Sequence, residues 1–155
     1  MAHIIRNIFL MAIGVMVVLQ FIPIDRSNPE TNLKEDFISA NNVPENISNI
    51  MKDACYDCHS HETVWPWYSY VAPISWSVSG HVTEAREELN FSKWDLYDAK
   101  KKDHKLEECV EALTEGWMPE SSYVTMHDEA KLSDEVRKDL VVFFKEKREE
   151  LSGSH

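Results

Sequence analysis

Cysteine and basic residues are both scarce in this chain, and each shortage closes off a class of function. There are three cysteines. Cys109 stands alone, so the second Cys/His pair that a zinc finger needs is missing. Lys and Arg number 16 against 27 Asp and Glu, for a net charge of −11. Such a surface repels nucleic acid and anionic headgroups. It would steer a basic partner toward the protein, although an acidic surface also serves plain solubility. No stretch sustains the alternation of a strand, and there is no internal repeat or low-complexity tract. A Ser/His/Asp array, a phosphate-binding loop and a paired-carboxylate signature are also missing. None of these motifs therefore offers an independent catalytic reading of the chain.

What is present centres on Cys55-Tyr56-Asp57-Cys58-His59. Two cysteines two residues apart, followed at once by histidine, form the attachment pattern of c-type haem. Thiols about one helical turn apart can add to the two vinyl groups of one porphyrin. The adjacent imidazole is then held under the ring as proximal iron ligand. Cys55 and Cys58 are read as thioether sites and His59 as the first axial ligand of one covalent haem c. A redox dithiol expects a βαβ context, which the sequence does not offer.

The sixth ligand is not given by the motif. Gly116-Trp117-Met118-Pro119 supplies the best candidate, Met118, in a turn between two predicted helices where the proline stiffens the loop. Its thioether would raise the reduction potential relative to bis-histidine ligation. His81, three residues after Val78 on one helical face, is the alternative. His127 follows Tyr123 by one turn and is better placed to bond a haem propionate or a backbone carbonyl than iron. Trp65, Trp67, Tyr68, Tyr70 and Trp76 crowd twelve residues just after the motif. Such rings can wall a porphyrin, and their N–H and O–H groups can bond its propionates; aromatic core packing is compatible with that role. Arg86 could neutralise a propionate or remain a solvated charge.

Around this centre the chain divides into three parts. Residues 1–24 read as a transmembrane signal-anchor helix: from Ile8 to Ile24 there are 17 residues without a charge, preceded by Arg6. No small-residue cleavage pattern comes after it, so the anchor is expected to be retained. Arg6 keeps the short end in the cytoplasm and sends the rest to the outer, periplasmic side of the inner membrane. Residues 25–42 read as a polar linker that either lets the domain stand off the membrane or packs along its surface. Residues 43–150 read as an all-α domain. Its apolar stripes are Ile47/Ile50/Met51/Ala54, Val78/Val82/Ala85/Leu89, Leu106/Cys109/Val110/Leu113 and Val136/Leu140/Phe143/Phe144. Gly116 should stop the third helix and Ser133 cap the last. Cys109, on an apolar stripe, reads as a buried and inert thiol.

Together, Cys55-x-x-Cys58-His59-Ser60, Thr63, Trp65-Pro66-Trp67-Tyr68, Pro73, His81-Val82, Arg86, Asn90-Phe91-Ser92-x-Trp94, Met118-Pro119, Tyr123 and His127 resemble the bacterial haem-binding domain family of small membrane-tethered mono-haem c-type proteins. The resemblance runs from about Val43 to about Lys147, with Ala85 where members often have glycine. It implies a cytochrome-c-like helical fold, haem on Cys55, Cys58 and His59, and Met118 as distal ligand. The expected function is one-electron transfer outside the cytoplasmic membrane, serving an unidentified reductase or oxidase, either alone or as a subunit of a respiratory complex. The alternative is a haem sensor or peroxidase-like protein with a displaceable sixth ligand.

Overall fold

In the computed structural model, which describes residues 1–153, the fold is all-α, and the described residues contain no strand. Helix α1 (Ala2–Leu19) is the apolar N-terminal segment; none of its residues is buried, and by length and composition it can cross a membrane. A short α2 (Phe37–Ala40) comes next, then α3 (Glu45–Met51), which Pro44 precedes as N-cap. A five-residue π-helical turn, Lys52–Tyr56, continues into α4 (Asp57–His59), so the haem motif straddles the junction. A π-turn adds one residue to the helical ladder and rotates the residues after it, a device common at functional sites. Helix α5 (Ile74–Glu88), α6 (Ala99–Glu115), α7 (Ser121–Met126) and α8 (Asp134–Gly153) complete the domain, with 3₁₀ turns at Trp67–Tyr70, Phe91–Leu96 and Asp128–Ala130.

Three of the predicted stripes face one core; from the stripe on Val78, Val82, Ala85 and Leu89, Leu89 alone of the four joins it. Met51, Leu106, Leu113, Leu140, Phe143 and Phe144 are all buried in it, and the C-terminal pair α6 and α8 packs along its length. Helix α6 begins at Asp98, whose carboxylate accepts from the Lys101 N–H at 2.8 Å, and ends at Gly116. Gly116 takes φ +76°, a left-handed cap that a Cβ would strain. Its cap turns the chain sharply, and the N–H groups of Trp117 and Met118 fold back onto the Ala112 carbonyl. This reversal is what carries Met118 toward the motif. Ser133 caps α8 as expected, its Oγ accepting from the Val136 N–H at 3.2 Å.

Residues 25–42 do not hang free. Phe37 is fully buried and meets Phe91, Trp94, Phe143 and Phe144 at ring distances of 4.8 to 6.3 Å. Asp36 caps α2 through the Ile38 N–H and accepts the Tyr56 hydroxyl at 3.1 Å. Packing thus extends upstream of Val43, and the segment is part of the domain's wall. Phe37→Ala should cost about 3–5 kcal/mol of stability, the range for a large aromatic emptied from a core. Chemical denaturation of the purified chain checks it; a loss below about 1 kcal/mol would mean that the segment is only draped over the surface.

Candidate functional site

Three cavities of 360, 270 and 150 Å³ lie side by side along the motif. The first and second share Cys58, His81, Glu120 and Tyr123; the second and third share Ala54, His59, Glu88 and Met118. They form one cleft of the size usual for organic ligands. Cys55 lines its far end, Cys58 its near half, and His59 and Met118 share the middle.

His59 is set by its backbone partners. Its Nδ1 lies 3.0 Å from the Ala85 carbonyl and 3.1 Å from the Leu89 carbonyl. A carbonyl can only accept, so Nδ1 carries the hydrogen and Nε2 keeps the lone pair. This is how a ligating histidine is oriented by a second partner. Burial holds the imidazole below its ordinary pKa, against the opposing pull of the Leu89 and Ala85 hydrogen bonds, which keeps it neutral and able to ligate. Ser60 terminates the motif: its Oγ donates to the Tyr56 carbonyl at 2.7 Å and accepts from the Glu62 N–H.

The two residues between the cysteines are tied down from opposite sides. Tyr56 stacks on Phe91 at 5.3 Å and donates to Asp36. Asp57 accepts from the Val64 N–H at 2.8 Å and from the Tyr123 hydroxyl at 2.7 Å, closing α7 over the cleft. Burial pushes the Cys55 thiol up to about 12 and the Cys58 thiol up to about 11. A reactive dithiol has a lowered thiol pKa, and burial acts in the opposite direction here. Cys109 is raised by burial as well, and it lines the third cavity with Cys55.

The aromatic run divides. Trp67 and Tyr68 line the first cavity, and Tyr68 donates to His127 Nε2 at 2.8 Å, since Nδ1 of that ring faces the Glu129 carboxylate at 3.0 Å. Tyr123 stacks on the same imidazole at 4.1 Å. Both nitrogens of His127 are therefore engaged by side chains. Trp65 and Trp76 are not in the walls of the three cavities. Their indole N–H groups are, however, the buried side-chain polar atoms without a protein partner among the described residues. A buried donor left without an acceptor costs about 1–3 kcal/mol. Arg86 also stands outside the cavity walls and donates to the Ser60 carbonyl, Thr63 Oγ1 and Asn28 Oδ1 at 2.7–2.8 Å. His81 is half-exposed on the cleft rim, 3.8 Å from Glu120. Met118 is 42% exposed, and its carbonyl accepts from Arg137 at 2.6 Å.

Three links here escape the sequence: Asp36 with Tyr56, Asp57 with Tyr123, and His61. The last is buried, with Nδ1 donating to the Glu30 carbonyl and Nε2 accepting from the Asn90 amide at 3.0 Å. Burial lowers the pKa of His61, as it does that of His59. A depressed histidine binds its proton less readily folded than unfolded, so stability is lost as pH falls through the unfolded value of about 6.5. Acidification from about pH 7.5 to about 5.5, a window that brackets that value, should lower the denaturation midpoint, and His61→Gln should flatten that dependence. A midpoint that rises on acidification would contradict the assignment.

The donor set fits a porphyrin. Two thiols and an imidazole with a free Nε2 face one cleft, and its walls are mainly apolar. Among the described residues no three His, Cys, Asp or Glu side chains converge to hold a metal directly. A family model described as a haem-binding domain matches residues 14–146. No curated protein and no solved structure matches the chain.

Proposed function

The chain belongs to the haem-binding domain family, and from that premise we propose that it is a mono-haem c-type cytochrome, a one-electron carrier on the outer side of the cytoplasmic membrane. The observation that carries the reading is the convergence of Cys55, Cys58, His59 and Met118 on one cleft. Cys55 and Cys58 would hold the porphyrin by thioethers, His59 Nε2 would bind the iron, and Met118 would offer its sulfur as sixth ligand. Bound haem supplies a ferric/ferrous couple.

The chain's own residues do the rest. The Ala85 and Leu89 carbonyls fix the His59 ring and add to its basicity. Asp36 and Phe91 hold Tyr56, Asp57 and Tyr123 hold the other side of the motif, and Arg86 pins the loop after it. A site held this firmly reorganises little when its charge changes by one, which suits electron transfer. The apolar walls favour the less charged ferrous state, as does a thioether ligand. The acidic surface would steer a basic redox partner.

The test is a potentiometric titration of the haem-loaded chain. A single one-electron transition, with no binding of carbon monoxide to the reduced protein within minutes, supports the carrier. The half-exposed position of Met118 favours a second reading, a sensor or peroxidase-like protein in which that ligand is displaced. Rapid carbon monoxide binding by the untreated protein would decide for it.

A further inference from the structure

We infer that the face built by residues 64–74 lies in the headgroup interface of the bilayer that α1 crosses, so that the domain rests on the membrane. The inference depends on reading α1 as an anchor. It begins from how the end of α1 is joined to the domain. The Gln20 side-chain amide pairs with the backbone of Ala72 in both directions: Nε2 donates to the Ala72 carbonyl at 3.2 Å, and Oε1 accepts the Ala72 N–H at 3.0 Å. Ala72 itself is buried. Beyond this clamp Arg26 donates to the Ser69 carbonyl and lies 4.4 Å over the Tyr70 ring. Ser79 donates to the Asp25 carbonyl, and Asn28 to that of Thr63. One surface of the domain is therefore fixed at the point where the apolar helix ends.

That surface is apolar and exposed. Val64, Trp67, Tyr70, Val71 and Ile74 are exposed large hydrophobics, with Trp67 at 72% and Val64 at 74%. Phe21 and Ile22, between the clamp and the connector, extend the patch. Charge is missing from the same stretch: from Thr63 to Thr83 there is no Asp, Glu, Lys or Arg, in a chain that is 28% charged and carries −11 overall. Acids elsewhere would be repelled by anionic headgroups; this stretch carries none of its own, with Asp25 at its edge and Asp57 and Glu120 inside the adjoining cavity. Trp and Tyr favour the level of the headgroups, where a ring is buried and its polar edge stays wet, and Arg26 over Tyr70 suits the same level. Val64, Trp67 and Ile74 also line the first cavity, so the cleft opens at the lipid surface. A redox partner would then reach it along the membrane plane.

The experiment uses the full haem-loaded chain in phosphatidylcholine nanodiscs whose acyl chains carry a diazirine near the headgroup. After irradiation, adducts are mapped by peptide mass spectrometry. The expected result is labelling of α1 and of the 64–74 peptide, at least ten-fold above peptides carrying Leu96 or Trp117, which are comparably exposed in the protein. Gln20→Ala and the double variant Tyr70→Ser/Val71→Ser should each cut labelling of 64–74 relative to α1 several-fold. Adducts on α1 alone would overturn the inference and leave this face free for a protein partner. Adducts on neither would overturn the anchor reading itself. Even labelling of Leu96, Trp117 and 64–74 would show no preferred face and overturn the inference as well.

Discussion

The Cys55→Ser/Cys58→Ser variant should lose all covalently held haem, so that its band on a denaturing gel no longer stains. Each single variant should keep one thioether and stain, with a lower yield. The reason lies in where the thiols stand: Cys55 at one end of the cleft and Cys58 in its near half, on either side of the middle that His59 shares with Met118. A serine hydroxyl is nearly the same size but does not form the thioether. The double variant should also fold poorly. Many of its cleft walls are apolar side chains that a bound porphyrin would cover, and uncovered apolar area costs about 25 cal/mol per Å². If the double variant still stains, attachment runs through other residues, Cys109 first among them. A lost stain with unchanged stability would mean that the cleft needs no ligand to hold its shape.

Met118→Ala should open the iron. Carbon monoxide should then bind the reduced protein within seconds, and the potential should fall by roughly 100 mV or more, a modest part of the ~0.8 V that axial ligands command. The local structure isolates this effect. Met118 lines the cleft, and its carbonyl takes Arg137 while its N–H turns back to Ala112. Removing the thioether leaves those backbone bonds in place, so the loop should not collapse. His81 also faces the middle cavity, on the rim beside Glu120. If Met118→Ala changes neither ligand binding nor potential, and His81→Ala changes both, the histidine is the ligand.

Much of this was legible in the sequence because it is local. The CxxCH spacing points to covalent haem within five residues, and four apolar stripes at helical spacing mark helices that bury Met51, Val82, Leu106, Leu113, Leu140, Phe143 and Phe144. The glycine before Trp117 announces the reversal that brings Met118 to the cleft. What escaped depends on tertiary closure. Phe37 is a lone aromatic in a polar stretch with no stripe to belong to, yet it sits at the centre of an aromatic cluster. Asp36 and Asp57 look like two of many acids; their partners Tyr56 and Tyr123 lie 20 and 66 residues away. Arg86 shows the same limit from the other side. A cation near a haem motif suggests a propionate; the role the sequence does not announce is the pinning of Ser60, Thr63 and Asn28 by Nε and Nη2, which leaves Nη1 outside these three bonds.

The most direct test is the visible spectrum of the full chain, oxidised and reduced, produced in a host that attaches haem c, read beside a haem-stained denaturing gel. The account predicts covalent stain, a low-spin reduced spectrum and, in the oxidised protein, the weak long-wavelength band of a sulfur–iron bond. Covalent stain with a high-spin spectrum would contradict Met118 ligation and favour the sensor or enzyme. A chain that folds, carries no haem and binds zinc through Cys55 and Cys58 would contradict the account at its centre.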